Sequence, residues 1–394
     1  MDSDIVADVP VADQLRDFDY CDPVHGARSQ EVLRYAREEC PVAHTSATGG
    51  YYIATTYEDV SRVLRDHDTF SSTEYVNIAG SMGTRIPPID SDPPLHHDFR
   101  KILNPFFHPK HLAEREDEVR RLARAQIGSW VDSGRCEIIG DFAAPFVTNV
   151  LAKVVFNSDD TETFHRAAEC TDRLVQGDVS AFPELREVMV KFVATRSGCA
   201  PGDLMYAVLN GSVGGRPLTK DEQVGIAQIL FSGGLDTTKV AISDIVLAMA
   251  QHADLEDRLR APDWEKATLD ELLRFISPIA ALGRHATRDV TLGDQQLKAG
   301  DRVLVHYSSA NRDATAFGSP DELVFNRERN PHLAFGLGVH RCIGLHLARL
   351  QIRVAISELL DRITGIRLVP DASLDRRPGI SPVLNALHIE FNQR

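Results

Sequence analysis

The feature that most constrains this fold is a helical pattern over residues 219–251. Thr219 and Glu222 form a capping box after Pro217-Leu218. Apolar spacing then continues to about Gln251. A helix of about 30 residues is a rod of about 45 Å, long enough to cross the whole molecule. Other elements must therefore pack around it. Yet its middle reads Phe231-Ser232-Gly233-Gly234-Leu235-Asp236-Thr237-Thr238. Each glycine costs about 1 kcal/mol against alanine inside a helix, and Asp and Thr compete for backbone hydrogen bonds. Two readings fit. Something approaches the backbone here, or Gly233-Gly234 ends one helix and Asp236 caps the next.

A second stretch, Phe335-Gly336-Leu337-Gly338-Val339-His340-Arg341-Cys342-Ile343-Gly344, precedes a strongly helical run from Leu345. Glycines two residues apart suit a tight loop rather than a helix or strand interior. Cys342 thus falls where a glycine-rich loop enters a helix N-terminus. The helix dipole, His340 and Arg341 should favour its thiolate. A single cysteine is by default a small buried hydrophobe. Zinc fits poorly, because a structural zinc wants four ligands. One thiolate can hold a haem iron from one side.

Composition narrows the class. Hydrophobic residues make up 43% and charged residues 25% of the 394, ordinary values for a globular protein. Without a Gly/Ser linker or internal repeat, one large domain over 1–394 is expected. The formal charge of −14 disfavours nucleic acid as a partner. Cys21, Cys40, Cys136, Cys170, Cys199 and Cys342 are scattered with no CxxC, which argues for a reducing compartment. No signal-like leader and no run of about 18 apolar residues is expected, so the protein reads as cytoplasmic.

Along the chain, residues 1–30 read as polar and irregular. Val42–His44 and Tyr51–Thr55 read as strands, and Thr56 with Asp59 starts a helix through Arg65. Residues 70–90 form a long loop, and a helix begins near His96. An amphipathic helix over 115–132 places Val119, Leu122, Ile127 and Trp130 on one side. Val303–Val305 reads as a strand, Ser308–Arg312 as a helix, and 380–391 as a hairpin turning near 381–385.

Phe-Gly-x-Gly-x-His-x-Cys-x-Gly running into Leu-Ala-Arg resembles the haem-binding loop of the cytochrome P450 superfamily. Residues 231–238 are similar to its oxygen-binding helix, which favours the first reading of the glycine pair. Glu271-Leu272-Leu273-Arg274 matches its Glu-x-x-Arg, and Arg327 fits the third member of that set. The wording is nearest to soluble bacterial members of the camphor and terpene hydroxylase type. The resemblance implies a mainly α fold with small β-sheets and a long central helix over haem b.

It also implies residue roles. Cys342 ligates the iron, while Phe335, Gly336 and Gly344 shape the loop and Gly233 lies over the haem. Arg100, with His96, Arg284 and His340 would meet the propionates. Asp236 and Thr237, or Thr238 one register on, would deliver protons for oxygen activation. Leu230, Gly233, Ile279, Ala280, Leu282 and Val383 would line a substrate pocket, with the loop at 71–90 and the 170–185 region. Arg85 has two readings, a contact for an acidic or polar substrate group and, more naturally, a surface residue. Glu271, Arg274 and Arg327 would be structural. The implied activity is O2-dependent hydroxylation of a small-to-medium hydrophobic substrate by a monomer. Electrons would come from an external ferredoxin and its reductase, docking near Arg100, Lys101, Arg341 and Arg349. The alternatives are a haem-binding sensor or carrier without turnover, and a non-haem Cys/His regulator.

Overall fold

The computed structural model describes residues 9–78, 83–175, 178 and 180–394. Parts of the expected pocket loop (79–82) and of the 170–185 region (176, 177 and 179) lie outside the described residues.

The central helix runs unbroken from Lys220 to Gln251, so the two-helix reading of Gly233-Gly234 does not hold. Its start is strongly determined. Thr219 Oγ1 accepts from Glu222 N at 3.2 Å, and Glu222 Oε2 accepts from Thr219 N at 2.8 Å. Arg216 then clasps the same carboxylate with two bonds of 2.7 and 2.8 Å. Beyond the cap the helix is buried nearly all round. Packing thus supplies what its glycines and β-branched residues withhold. The glycines are also needed locally: a Cβ on Gly234 would lie 2.9 Å from Leu151 Cδ2.

The main core wraps this rod with side chains from Phe99 to Phe391. Its largest contributors include Phe142, Phe146, Phe164 and Phe231, all fully buried. Helices Ala181–Thr195, Ala144–Val150 and Leu345–Arg362 lie directly against the central helix. A smaller core sits beneath a five-stranded sheet in the order Val42–Thr45, Tyr51–Ala54, Arg302–Val305, Leu282–Ala286, Phe70–Ser71. One of its pairings is parallel, Val303 opposite Tyr52.

Four expectations change. The first 30 residues are not irregular where described, because Val11–Arg16 and Pro23–Ala27 are helical and Ser29 begins a helix to Glu39. Leu15, Phe18, Val32 and Leu33 give this segment its own apolar core with Tyr51 and Ile53. Residues 380–391 are not a hairpin. Val383–Leu384 pairs with Arg376–Arg377, whereas His388–Gln393 pairs with Ile363–Leu368 and Arg135–Glu137. The helix expected to reach 132 stops at Gly128, although Trp130 beyond it stays buried. Finally, the helical stretch Ile138–Val155 is long and apolar enough to cross a membrane by length and composition. Its apolar side chains instead pack into the main core.

The segment before the cysteine loop is tied down by one carboxylate. Glu271, on helix Thr268–Ile276, is 1% exposed and Arg274 is fully buried. Glu271 accepts from Arg274 at 2.7 and 2.9 Å, from Arg327 Nε at 2.9 Å and from Asn330 Nδ2 at 3.1 Å. Val324 N completes the set at 2.8 Å. Arg274 also donates to the carbonyls of Asn311, Pro320 and Glu322.

Acid should weaken the central helix cap. The Arg216 fork, against some burial, holds Glu222 down to about 2, below the roughly 4.3 of an unfolded chain. A depressed carboxylate stabilises the fold above its unfolded pKa and loses that contribution as pH falls through the folded value. A Glu222→Gln variant should therefore be less stable than the parent at pH 7. The gap should close between about pH 4.3 and 2, read as denaturant midpoints across that range.

Candidate active site

The loop 335–344 is built as its glycines require. Gly336 and Gly338 take φ of 67° and 71°, in the left-handed region that disfavours side chains. At Gly338 a Cβ would also lie 2.2 Å from the Leu64 carbonyl oxygen. The loop is therefore seated directly on helix Tyr57–Arg65. Cys342 N donates to Phe335 O at 2.9 Å and closes the loop. Gly344 then caps helix Leu345–Arg362.

Cys342 is exposed, but onto a cavity rather than the outer surface. The cavity volume is about 240 Å³, just below the 300–1,000 Å³ or so of an ordinary small-molecule site. Phe335, Gly336, His340 and Gly344 share its wall. The central helix contributes Ile229, Leu230, Gly233, Gly234, Thr237, Thr238 and Ala241, one stripe at helical spacing. A Cβ on Gly233 would meet no atom closer than 3.8 Å. That glycine leaves open space beside the backbone.

Burial raises the Cys342 thiol above its ordinary value. The Gly344 N–H on its sulfur and the charges of Arg100 and Arg341 pull it the other way. His340 gives no help, contrary to expectation. Burial and the neighbouring Arg284 push it down to about 2, so it is neutral.

A cationic corner forms at one edge of the cavity. The rings of His96 and His340 are 4.4 Å apart. His340 Nε2 lies 3.2 Å from Ser72 Oγ. His96 is 2% exposed, and neither of its ring nitrogens has a hydrogen-bond partner among the described residues. Burial and then Arg100 hold it down to about 4. Arg100 lines the cavity and donates to Arg341 O at 2.9 Å. Arg284 is buried, donates to Gly283 O at 2.6 Å and lies against Tyr307, just behind the cavity wall. Neither arginine has a carboxylate partner among the described residues.

Asp236 and Thr237 separate more than expected. Thr237 Oγ1 donates to Gly233 O at 3.0 Å and faces the cavity. Asp236, one residue and about 100° round the helix, does not line it. Its carboxylate meets Lys239 Nζ at 2.8 Å, and Lys239 also bonds Asp172 at 2.7 Å. Burial raises the Asp236 pKa, with Lys239 opposing.

Of the expected pocket residues, Leu230, Gly233, Ile279 and Leu282 line the cavity. Ala280 and Val383 do not, since both are turned into the protein beside it. Arg85 greets no substrate group, because it is clasped to Asp90 at 2.9 Å. The spacing 229, 233, 237, 241 could have found Ile229 and Ala241. Nothing local marked Leu151, Tyr307 or Gln351, which long-range packing brings in. No three His, Cys, Asp or Glu side chains converge to hold a metal among the described residues.

A family model described as Cytochrome P450 matches residues 265–364. Steroid C26-monooxygenase of Mycolicibacterium smegmatis is 31% identical over 382 residues, covering 94% of this chain and 93% of that protein. Linalool 8-monooxygenase of Pseudomonas putida is 27% identical, covering 85% and 88%. The solved structure of cytochrome P450 CYP109Q5 from Chondromyces apiculatus superposes with a TM-score of 0.85 at 26% identity, covering 96% and 99%. The chain belongs to the cytochrome P450 family of haem-thiolate monooxygenases, whose cofactor is cysteine-ligated haem b.

Proposed function

We propose that this chain, as one cytoplasmic haem domain over 1–394, hydroxylates a small-to-medium apolar substrate with O2 and electrons from a separate ferredoxin. The observation that carries this is one thiol, Cys342, opening onto the same largely apolar cavity as Gly233 and Thr237.

The residues present fit haem b. Two guanidiniums without carboxylate partners and an imidazole with two orphaned nitrogens are costly in a protein alone. Two propionates would satisfy them, held by Arg100, Arg284 and His96, with His340 alongside. Cys342 is the iron ligand in this reading, and coordination deprotonates a thiol outright, overriding the cost of its burial. The Gly344 N–H and Arg341 then stabilise the sulfur charge. When bound, thiolate-ligated haem supplies the reductive activation of O2.

The remaining work falls to side chains. The Thr237 hydroxyl spends its proton on Gly233 O, so its oxygen points an acceptor into the cavity. Asp236 lies one residue away in contact with Lys239, and burial raises its pKa against that lysine. We assign proton delivery to this pair, with Thr238 as the adjacent hydroxyl. Pro88, Ile89, Leu151, Ile229, Leu230, Ile279 and Leu282 exclude water and select an apolar molecule. Two relatives named for steroid and linalool oxidation support that class. For the ferredoxin, Lys101 and Arg341 are exposed. Arg349 is committed to Asp270 and stacked 5.6 Å from the Phe335 ring, so we drop it from the docking set.

The decisive measurement is the reduced, carbon monoxide-bound spectrum. We expect the red-shifted Soret band of thiolate ligation, and its loss in Cys342→Ser. No haem band at all would sink the reading. Asp236→Asn should lower the ratio of product to NADH consumed, with electrons lost to peroxide; an unchanged ratio removes Asp236 from proton delivery. NADH left unconsumed with ferredoxin across a broad apolar panel would instead mark a sensor or carrier. His96→Leu deletes two orphaned polar atoms. It should leave the haem-free protein as stable as the parent or more so, yet speed haem loss to a scavenger severalfold.

A further inference from the structure

We propose that Gly225, Arg85 and Asp90 are positioning residues that set the upper size of the substrate, by fixing the 85–91 segment as a rigid ceiling over the cavity. This rests on the haem-monooxygenase reading above and names a determinant of its specificity.

The segment is held in two ways. Internally, Asp90 is buried and its Oδ2 accepts from Arg85 Nε at 2.9 Å and from Ile86 N at 2.7 Å. Arg85 Nη2 closes the ring by donating to Asp90 O and Ser91 Oγ, both at 3.1 Å. A charge-assisted clasp of this kind leaves a short segment few alternative shapes. Externally, the segment lies directly on the central helix. A Cβ on Gly225 would sit 2.1 Å from the Arg85 carbonyl oxygen and 3.2 Å from Pro87 Cδ. Only glycine permits that approach.

Gly225, Ile229 and Gly233 are four residues apart and share one helix face. The contact therefore lies about 12 Å along the axis from Gly233, on the face that lines the cavity. Between the two anchors, Pro88 and Ile89 reach the cavity wall beside Ile229 and Leu230. The height of that ceiling is set by the backbone contact at Gly225 and the Asp90 clasp, not by the apolar side chains alone.

Glycine to alanine in a helix interior ordinarily favours the helix. Here the added methyl must push the segment off the helix and raise the ceiling. The test compares the holoenzyme with Gly225→Ala and with Asp90→Asn, which loosens the clasp at nearly constant shape. Two iron-coordinating ligands are titrated by the Soret shift: imidazole, too small to touch the ceiling, and clotrimazole, an imidazole bearing a bulky triaryl group. We expect the affinity for clotrimazole relative to imidazole to rise threefold or more in Gly225→Ala and in the same direction in Asp90→Asn. If Gly225→Ala does not fold, a threefold rise in Asp90→Asn is the criterion. A smaller change, or one against clotrimazole, overturns the proposal. Failure of the haem reading looks different: no Soret band in any of the proteins, which would take this inference with it.

Discussion

The buried Glu271 carboxylate is the interaction on which the cysteine side of this molecule depends. It is a single acid, 1% exposed, carrying bonds from two arginines, an asparagine and a backbone N–H. Burial alone would raise its pKa, but those donors hold it below the ordinary value. Removing one partner of such a buried set costs about 3–5 kcal/mol, because the charge left behind is unpaired. Through Arg274 and Arg327 it fixes residues 311–330, a stretch with little regular structure of its own. The cysteine loop follows directly, so its seating on helix Tyr57–Arg65 inherits this rigidity.

The cavity is organised on the opposite principle. Around Glu271 every donor is answered, whereas the cavity keeps polar groups unanswered. His96 has two bare nitrogens, and Arg100 and Arg284 lack carboxylates among the described residues. Gly233 leaves space where alanine would favour the helix. A fold that spends stability at one place is arranged to regain it from what binds there. The same logic governs Asp236, whose burial is tolerable only because Lys239 and, through it, Asp172 lie beside it.

Much of the fold was legible because its signals are local. The Thr219/Glu222 box marks the start of the central helix within one residue. Thr56 and Asp59 do the same for Tyr57–Arg65, and Val303–Val305 is a strand within one residue of its observed ends. Where the reading failed, the deciding partner was distant. The 380–391 segment alternates like a hairpin, yet its two strands found partners in different sheets. The first 30 residues look irregular alone, but Phe18 and Leu33 pack against Tyr51 and Ile53. Ile138–Val155 is rich in apolar residues because most of it is packed into the main core.

The site divides in the same way. The sequence by itself determined the chemistry: one cysteine after a loop that only glycines can form, and a helix weakened at Gly233-Gly234 beside Thr237. Those features depend on backbone conformation and on residue type at short spacing. Tertiary structure decided which of the neighbouring side chains reach the cavity. Thr237 turns in and Asp236 turns to Lys239, because consecutive helical residues point about 100° apart. Ala280 and Val383 fall behind the wall, while Leu151 and Tyr307 arrive from distant segments. Arg85 is clasped to Asp90 under the grip of Gly225, a contact between backbones 140 residues apart in the chain that no local pattern encodes.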